Sequence, residues 1–153
     1  MSERLQVGDK APNFALLDQA GDEVKLSGFK GHPVLVYFYP KADTPGCTTQ
    51  ACGLRDILGD IGDARVVGIS PDTPTKQAKF DVKYGLGFPL LSDADHAVAE
   101  AYGVWVQKSM YGRQYMGIER SAFLVDPKGK LSGVWYKISP KDTPKRLLEA
   151  LAA

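Results

Sequence analysis

Two cysteines and a threonine lie within nine residues of one another, and their types and spacing suit thiol chemistry. Thr44 and Cys47 are three residues apart at the predicted start of a helix, so both side chains should lie on one side of its first turn. Unpaired backbone N–H groups and the positive end of the helix dipole favour a thiolate there. Cys47 is therefore a candidate nucleophile, and Cys52 follows five residues later.

A cysteine is more often a small buried hydrophobic residue than a reactive one. The residues before Cys47 argue against a core position, since Pro45 and Gly46 belong to a loop that follows a strongly apolar segment. The second thiol at Cys52 adds to this argument. From these residues alone, Cys47 could be either a structural cysteine or a reactive one.

Strands and helices alternate along the chain, which determines where these residues should lie. Apolar runs bounded by turn residues predict strands over 34–39, 65–70 and 88–91, and hairpins over 13–26 and 121–136. Helical spacing and capping residues predict helices over 48–58, 74–84, 97–102 and from 142 onward. The segment 109–117 is expected to be an irregular connection, whose apolar residues either line a pocket, meet a partner or fold back onto the core.

This order predicts an α/β fold with a central mixed β-sheet, helices on both faces and an added N-terminal β-hairpin. Cys47 would then lie where the central strand 34–39 passes into a helix. In such sheets the carboxyl end of a strand is the usual location of a site.

Composition argues against several classes of partner. The 153 residues include 19 Lys+Arg and 18 Asp+Glu, a net charge of +1, and no basic run marks a nucleic-acid or membrane surface. The longest apolar run is far too short for a bilayer span, and the first six residues lack the apolar stretch of a signal peptide, so we expect a cytoplasmic protein. We also expect a single domain over residues 1–153. His32 and His96 lack metal-ligand spacing to the cysteines, so no metal site is predicted.

Pro40, Thr44 and Cys47 match the peroxiredoxin pattern Pro-x-x-x-Thr/Ser-x-x-Cys. The whole segment 40–52 resembles the bacterioferritin comigratory protein subgroup, also called peroxiredoxin Q, as do the segments 7–14 and 117–126. The resemblance extends over nearly the whole chain. It implies a thioredoxin-like fold and the reduction of hydrogen peroxide and alkyl hydroperoxides without a metal or organic cofactor.

The same resemblance implies a role for each matching residue. Cys47 would be the peroxidatic cysteine, and Cys52 the resolving cysteine in a disulfide that thioredoxin or a glutaredoxin-like reductant reopens. Thr44 would hydrogen-bond the thiolate and the peroxide, and Pro40 would shape and shield the pocket. Arg120, which by position alone could equally be a surface residue, would stabilise charge on the departing oxygen. A resolving cysteine in the same chain removes the need for a dimer, so we expect a monomer.

Two other functions stay open from the sequence. A thioredoxin-type disulfide oxidoreductase uses cysteines separated by two residues, whereas four residues separate Cys47 from Cys52. A non-catalytic redox sensor or holdase would change its binding surface on oxidation. Peroxide consumption, insulin reduction and catalytic turnover distinguish these functions from a peroxidase.

Overall fold

A central β-sheet organises the structure, a computed structural model that describes residues 4–152. The strands, in chain order, are β1 (Ala15–Leu17), β2 (Glu23–Lys25), β3 (Val34–Phe38), β4 (Arg65–Ser70), β5 (Leu90–Ser92), β6 (Trp105–Met110), β7 (Arg113–Ile118), β8 (Ser121–Val125) and β9 (Leu131–Trp135). The α-helices are α1 (Pro45–Asp56), α2 (Pro74–Tyr84), α3 (Ala97–Ala101) and α4 (Asp142–Ala152). Within residues 4–152 no helix is both long enough and apolar enough to cross a membrane.

Seven strands form the main sheet in the order β2-β1-β5-β4-β3-β8-β9. β3 pairs in parallel with β4 and antiparallel with β8, so the sheet is mixed, as predicted. Every residue of β3 and of β8 is buried. A continuous apolar run is therefore required at these positions, because both faces of the central strands are covered.

Helices cover both faces of this sheet, and alternate residues of β3 point to the two sides. Leu35 and Tyr37 belong to one core, which also receives residues of α1, α2 and α4. Val36 and Phe38 belong to the other, together with Ala99 of α3. The predicted mixed sheet with helices on both faces is thus confirmed. Both predicted hairpins also form, as β1–β2 and β8–β9.

Helix α1 begins three residues earlier than predicted, at Pro45 rather than Thr48. Thr44 is extended at the N-cap, and the fixed φ of proline suits the first helical position. Cys47 consequently lies inside the first turn. Helix α2 has the predicted bounds, since Thr73 caps it by accepting a hydrogen bond from the N–H of Lys76 at 3.3 Å.

The prediction of an irregular connection over 109–117 is wrong. β6 and β7 form a separate antiparallel hairpin, whose turn residues Tyr111 and Gly112 both have positive φ, at 52° and 78°. Such a turn is usually marked by Asn-Gly or Asp-Gly, and Tyr-Gly gives a weaker signal. The apolar side chains of the segment 109–117 do not fold back onto the core; they are exposed, namely Met110, Tyr111, Tyr115 and Met116. Only the base of the hairpin contacts the core, where Ile118 at the end of β7 is buried.

Candidate active site

Cys47 lies at the N-terminal end of α1, directly after the loop that leaves the central strand β3. The first backbone hydrogen bond of the helix joins the N–H of Thr48 to the carbonyl of Thr44 at 2.8 Å. The N–H groups of Gly46 and Cys47 precede this bond and are not part of the helical ladder. Although Cys47 is only 1% exposed, it occupies the positive end of the helix, where negative charge is stabilised.

Arg120 lies beside this thiol although it is 73 residues away in sequence. One guanidinium nitrogen, Nη2, is 3.4 Å from Cys47 Sγ and donates a hydrogen bond to it. The register of the sheet explains the approach, since Phe38 at the end of β3 is opposite Ser121 at the start of β8. Arg120, the residue before β8, therefore lies next to the loop that leads from β3 to the first turn of α1. The structure brings together these two predicted site residues.

Gln50 completes the contacts of the guanidinium, and the sequence analysis missed it. Its side-chain oxygen Oε1 accepts a hydrogen bond from Arg120 Nη1 at 2.7 Å, while its Nε2 donates to Thr143 Oγ1 at 2.9 Å. Gln50 is fully buried on the same face of α1 as Ala51 and Leu54. A polar residue on an otherwise apolar helix face, three positions after Cys47, is the signal that could have identified it.

Gly46 provides the space that Arg120 occupies against α1. A Cβ atom at this position would lie 3.0 Å from Arg120 Nη2 and 3.5 Å from the ring of Pro140. Because Gly46 precedes Cys47 directly, the guanidinium can lie across the helix backbone at the level of the thiol. A larger residue would force it to move.

The other predicted site residues lie close by in the chain. Thr44, half-buried at the N-cap of α1, donates its hydroxyl hydrogen to the carbonyl of Lys41 at 2.8 Å rather than to Cys47. Pro40 is half-buried in the loop between β3 and α1. Cys52 is half-buried in α1 itself, and both cysteines are free thiols. The structure therefore describes the reduced state, with both cysteines in one helix.

Two further ionisable side chains, Tyr37 and Lys108, lie near the site. Tyr37 is fully buried, and burial raises the pKa of its hydroxyl well above the ordinary 10.0, so this group stays neutral. Lys108 of β6 passes over Gly117, where a Cβ would be 3.3 Å from its side chain. Burial lowers the pKa of Lys108, and repulsion from Arg120 lowers it further. Within residues 4–152 no three His, Cys, Asp or Glu side chains are grouped as metal ligands.

Comparison with known proteins relates this site to a family. The model of the AhpC/TSA family matches residues 7–134. The peroxiredoxin Bcp of Escherichia coli is 53% identical over 133 residues, which cover 86% of this chain and 85% of that protein. Bacillus subtilis has a peroxiredoxin Bcp that is 46% identical over 149 residues, 96% of this chain and 95% of its own.

A solved structure of a related protein has the same fold as this chain. The PrxQ of Xylella fastidiosa superposes with a TM-score of 0.91 at 29% identity, and the match covers 99% of this chain and 98% of that one. The thioredoxin-like fold that the resemblance implies is therefore confirmed. On the family match and these identities, the chain belongs to the AhpC/TSA family and, within it, to the Bcp or PrxQ group of peroxiredoxins.

Proposed function

We propose that this protein is a thiol peroxidase that reduces hydrogen peroxide and alkyl hydroperoxides, with Cys47 as its nucleophile. The observation that carries the proposal is the 3.4 Å contact between Arg120 Nη2 and Cys47 Sγ at a helix N-terminus. Relatives named peroxiredoxin support the class of reaction. A structure of the bacterioferritin comigratory protein of Xanthomonas campestris, described for its alkyl peroxide reduction activity, supports the class of substrate.

In the first step the Cys47 thiolate attacks the oxygen of the hydroperoxide that carries the hydrogen. An S–O bond forms and the O–O bond breaks, so the sulfur is oxidised by two electrons to a sulfenic acid. The other oxygen leaves with the electron pair as an alkoxide or hydroxide. Protonation converts it to an alcohol or, for hydrogen peroxide, to water.

Arg120 stabilises the charge that moves during this step. Its guanidinium is held by Gln50 on one side and reaches Cys47 Sγ on the other, so little reorganisation is needed when negative charge passes from sulfur to oxygen. The planar fork of arginine can bond two acceptors at once, which a lysine ammonium cannot do in the same geometry.

We assign Thr44 to binding the peroxide. Its hydroxyl hydrogen is engaged by the Lys41 carbonyl, so its oxygen is left to accept the O–H of a hydroperoxide. This arrangement would orient the substrate with its protonated oxygen toward the sulfur. Pro40, in the loop before α1, would limit the entry of water beside the thiol.

Cys52 would resolve the sulfenic acid. Its thiolate attacks the Cys47 sulfur, so the S–S bond forms while the S–O bond breaks, and the hydroxide that leaves is protonated to water. A dithiol protein such as thioredoxin, or a glutaredoxin-like protein, then reduces the disulfide by thiol–disulfide exchange and is itself oxidised. Because both cysteines belong to one chain, the cycle needs no second subunit, and we propose a monomer.

Turnover measured with defined reductants tests the proposal. The wild type should consume hydrogen peroxide and cumene hydroperoxide with thioredoxin, thioredoxin reductase and NADPH as the electron source. Cys47→Ser should be inactive, and Cys52→Ser should consume about one equivalent of peroxide and then stop. Comparing thioredoxin with glutaredoxin and glutathione identifies the better donor.

Three results would contradict the proposal or part of it. Substantial turnover by Cys47→Ser would refute the assignment of the nucleophile, and full thioredoxin-supported turnover by Cys52→Ser would refute the resolving role. Reduction of insulin disulfides without peroxide consumption would instead favour a disulfide oxidoreductase.

A further inference from the structure

A chain of hydrogen bonds, of which the Gln50–Thr143 bond is buried, connects the thiol to the C-terminal helix α4. From Cys47 Sγ it passes to Arg120, from Arg120 Nη1 to Gln50 Oε1 at 2.7 Å, and from Gln50 Nε2 to Thr143 Oγ1 at 2.9 Å. Thr143, the second residue of α4, donates its own hydroxyl hydrogen to the carbonyl of Ser139 at 3.0 Å. Thr143 thus lies 93 residues from Gln50 and outside the segment 40–52 that carries both cysteines.

We propose that Thr143 is a positioning residue for the peroxidase site and acts by setting the orientation of the Gln50 amide. The inference rests on the proposed function of Cys47 and Arg120. Thr143 touches neither the thiol nor the guanidinium, so its effect on the reaction is transmitted through Gln50.

The direction of the hydrogen bonds carries the argument. An amide side chain can be turned by 180°, which exchanges its accepting oxygen and its donating nitrogen. Because the hydroxyl hydrogen of Thr143 is committed to the Ser139 carbonyl, its oxygen is available only as an acceptor toward Gln50. The NH₂ group of Gln50 must therefore face Thr143, and Oε1 must face Arg120. In the reversed orientation two donors, the amide and the guanidinium, would face each other.

Because Gln50 and Thr143 are buried, the orientation of the Gln50 amide depends on the hydrogen bond between them. Gln50 is 0% exposed and Thr143 is 1% exposed, so water cannot readily replace a missing partner. A buried amide without its acceptor is destabilised and will sample other orientations. Each reorientation removes Gln50 Oε1 as the acceptor for Arg120 Nη1. Because the guanidinium is rigid and planar, Nη2 then also moves away from Cys47 Sγ.

The alternative is that Thr143 only stabilises the first turn of α4. It belongs to the segment that packs on α1, where Pro144 lies against Gly53. In that case, substitution of Thr143 would lower the free energy of unfolding. It would slow the oxidation of Cys47 only to the extent that α4 packed less tightly on α1. The two roles differ in what the hydroxyl group itself contributes.

Three variants separate these roles. Thr143→Val keeps the shape and removes the hydroxyl, whereas Thr143→Ser keeps the hydroxyl and removes a methyl group. Thr73→Val is the structural control, because it removes the exposed threonine hydroxyl that caps α2 by accepting from the N–H of Lys76. We expect Thr143→Val to lower the second-order rate of Cys47 oxidation by peroxide about five- to tenfold. Thr143→Ser and Thr73→Val should stay within about twofold of the wild type.

Two readouts distinguish positioning from loosening. Alkylation of Cys47 by iodoacetamide, a neutral reagent that does not need the arginine to stabilise a leaving oxygen, should not rise in Thr143→Val. If the variant merely opened the helix, alkylation of the buried thiol would become faster. In addition, the side-chain NH₂ signals of Gln50 in NMR spectra should exchange slowly with solvent in the wild type and in Thr143→Ser, and rapidly in Thr143→Val.

The NMR readout is independent of peroxidase activity, so it separates failure of this inference from failure of the proposed function. A wild type inactive with peroxide would overturn the proposed function and the catalytic consequence of Thr143 together, while the amide signals would still report the contact. Thr143→Val with a wild-type oxidation rate, or with unchanged Gln50 signals, would overturn the inference. Equal loss of rate in Thr143→Val and Thr143→Ser would also overturn it.

Discussion

Oxidation of this protein should open the first turns of α1. In a regular helix, five residues advance about 7.5 Å and rotate by about 500°, which separates the Cα atoms of Cys47 and Cys52 by roughly 8 to 9 Å on different sides. A disulfide needs Cα atoms closer than about 7 Å with converging Cβ atoms. Since both cysteines lie within α1, the disulfide cannot form while the helix between them is intact.

The contacts of the site indicate how far the opening extends. Gln50 lies between the cysteines, so unwinding of this segment withdraws it from Arg120 and from Thr143. Gly46 and Gly53 reduce the cost, because each glycine weakens a helix by about 1 kcal/mol relative to alanine. The oxidised protein should consequently lose the contacts of the proposed peroxide site as well as part of α1.

Hydrogen exchange and circular dichroism measure this change. On oxidation, amides from Thr44 to about Leu58 should exchange faster, while those of α2 serve as an internal reference, and far-ultraviolet circular dichroism should report less helix. Cys52→Ser treated with one equivalent of peroxide is the matched control, because it is oxidised but cannot form the disulfide. Equal protection and equal helicity of the reduced and disulfide forms would refute this reasoning.

Other substitutions probe the packing around the guanidinium and the helix. Arg120→Lys keeps the charge but loses the planar fork, so peroxide oxidation should slow about tenfold or more in stopped-flow measurements without a change in unfolding; an unchanged rate would exclude Arg120 from the site. Gly46→Ala would place its Cβ only 3.0 Å from Arg120 Nη2, so the guanidinium must shift and oxidation should slow. The free energy of unfolding should stay the same or rise, because alanine favours a helix more than glycine does, and a wild-type oxidation rate would contradict this. Gly53→Ala brings a Cβ to 2.9 Å from the ring of Pro144, so urea denaturation should show a loss of about 1 kcal/mol, since overpacking outweighs the gain in helix propensity. Gly59→Ala, with open space around its Cβ, is the control, and an equal response of the two glycines would contradict the packing argument.

Local sequence patterns predicted the elements that carry Cys47. The uninterrupted apolar residues of β3 indicate a strand buried on both faces, and Pro45 with Gly46 indicates the loop and helix start that follow. These features depend on neighbours in the chain. For that reason their positions were predicted to within a few residues.

Contacts between distant segments could not be predicted in the same way. Arg120 reaches Cys47 because β8 pairs with β3 in a particular register, and the sequence indicated the contact only through family resemblance. The bond from Gln50 to Thr143 depends on how α4 packs on α1, which no local pattern encodes. The β6–β7 hairpin was missed for a different reason, since its turn uses Tyr111 where asparagine or aspartate is usual.

The most direct test of Cys47 as the reactive thiol is to trap its first oxidation product. Cys52→Ser should be treated with one equivalent of hydrogen peroxide in the presence of dimedone, and the labelled peptides mapped by mass spectrometry. We predict about one label per chain, on the peptide that contains Cys47, and no label on Cys47→Ser under the same conditions. An unlabelled Cys52→Ser protein, or comparable labelling of Cys52 in Cys47→Ser, would contradict it.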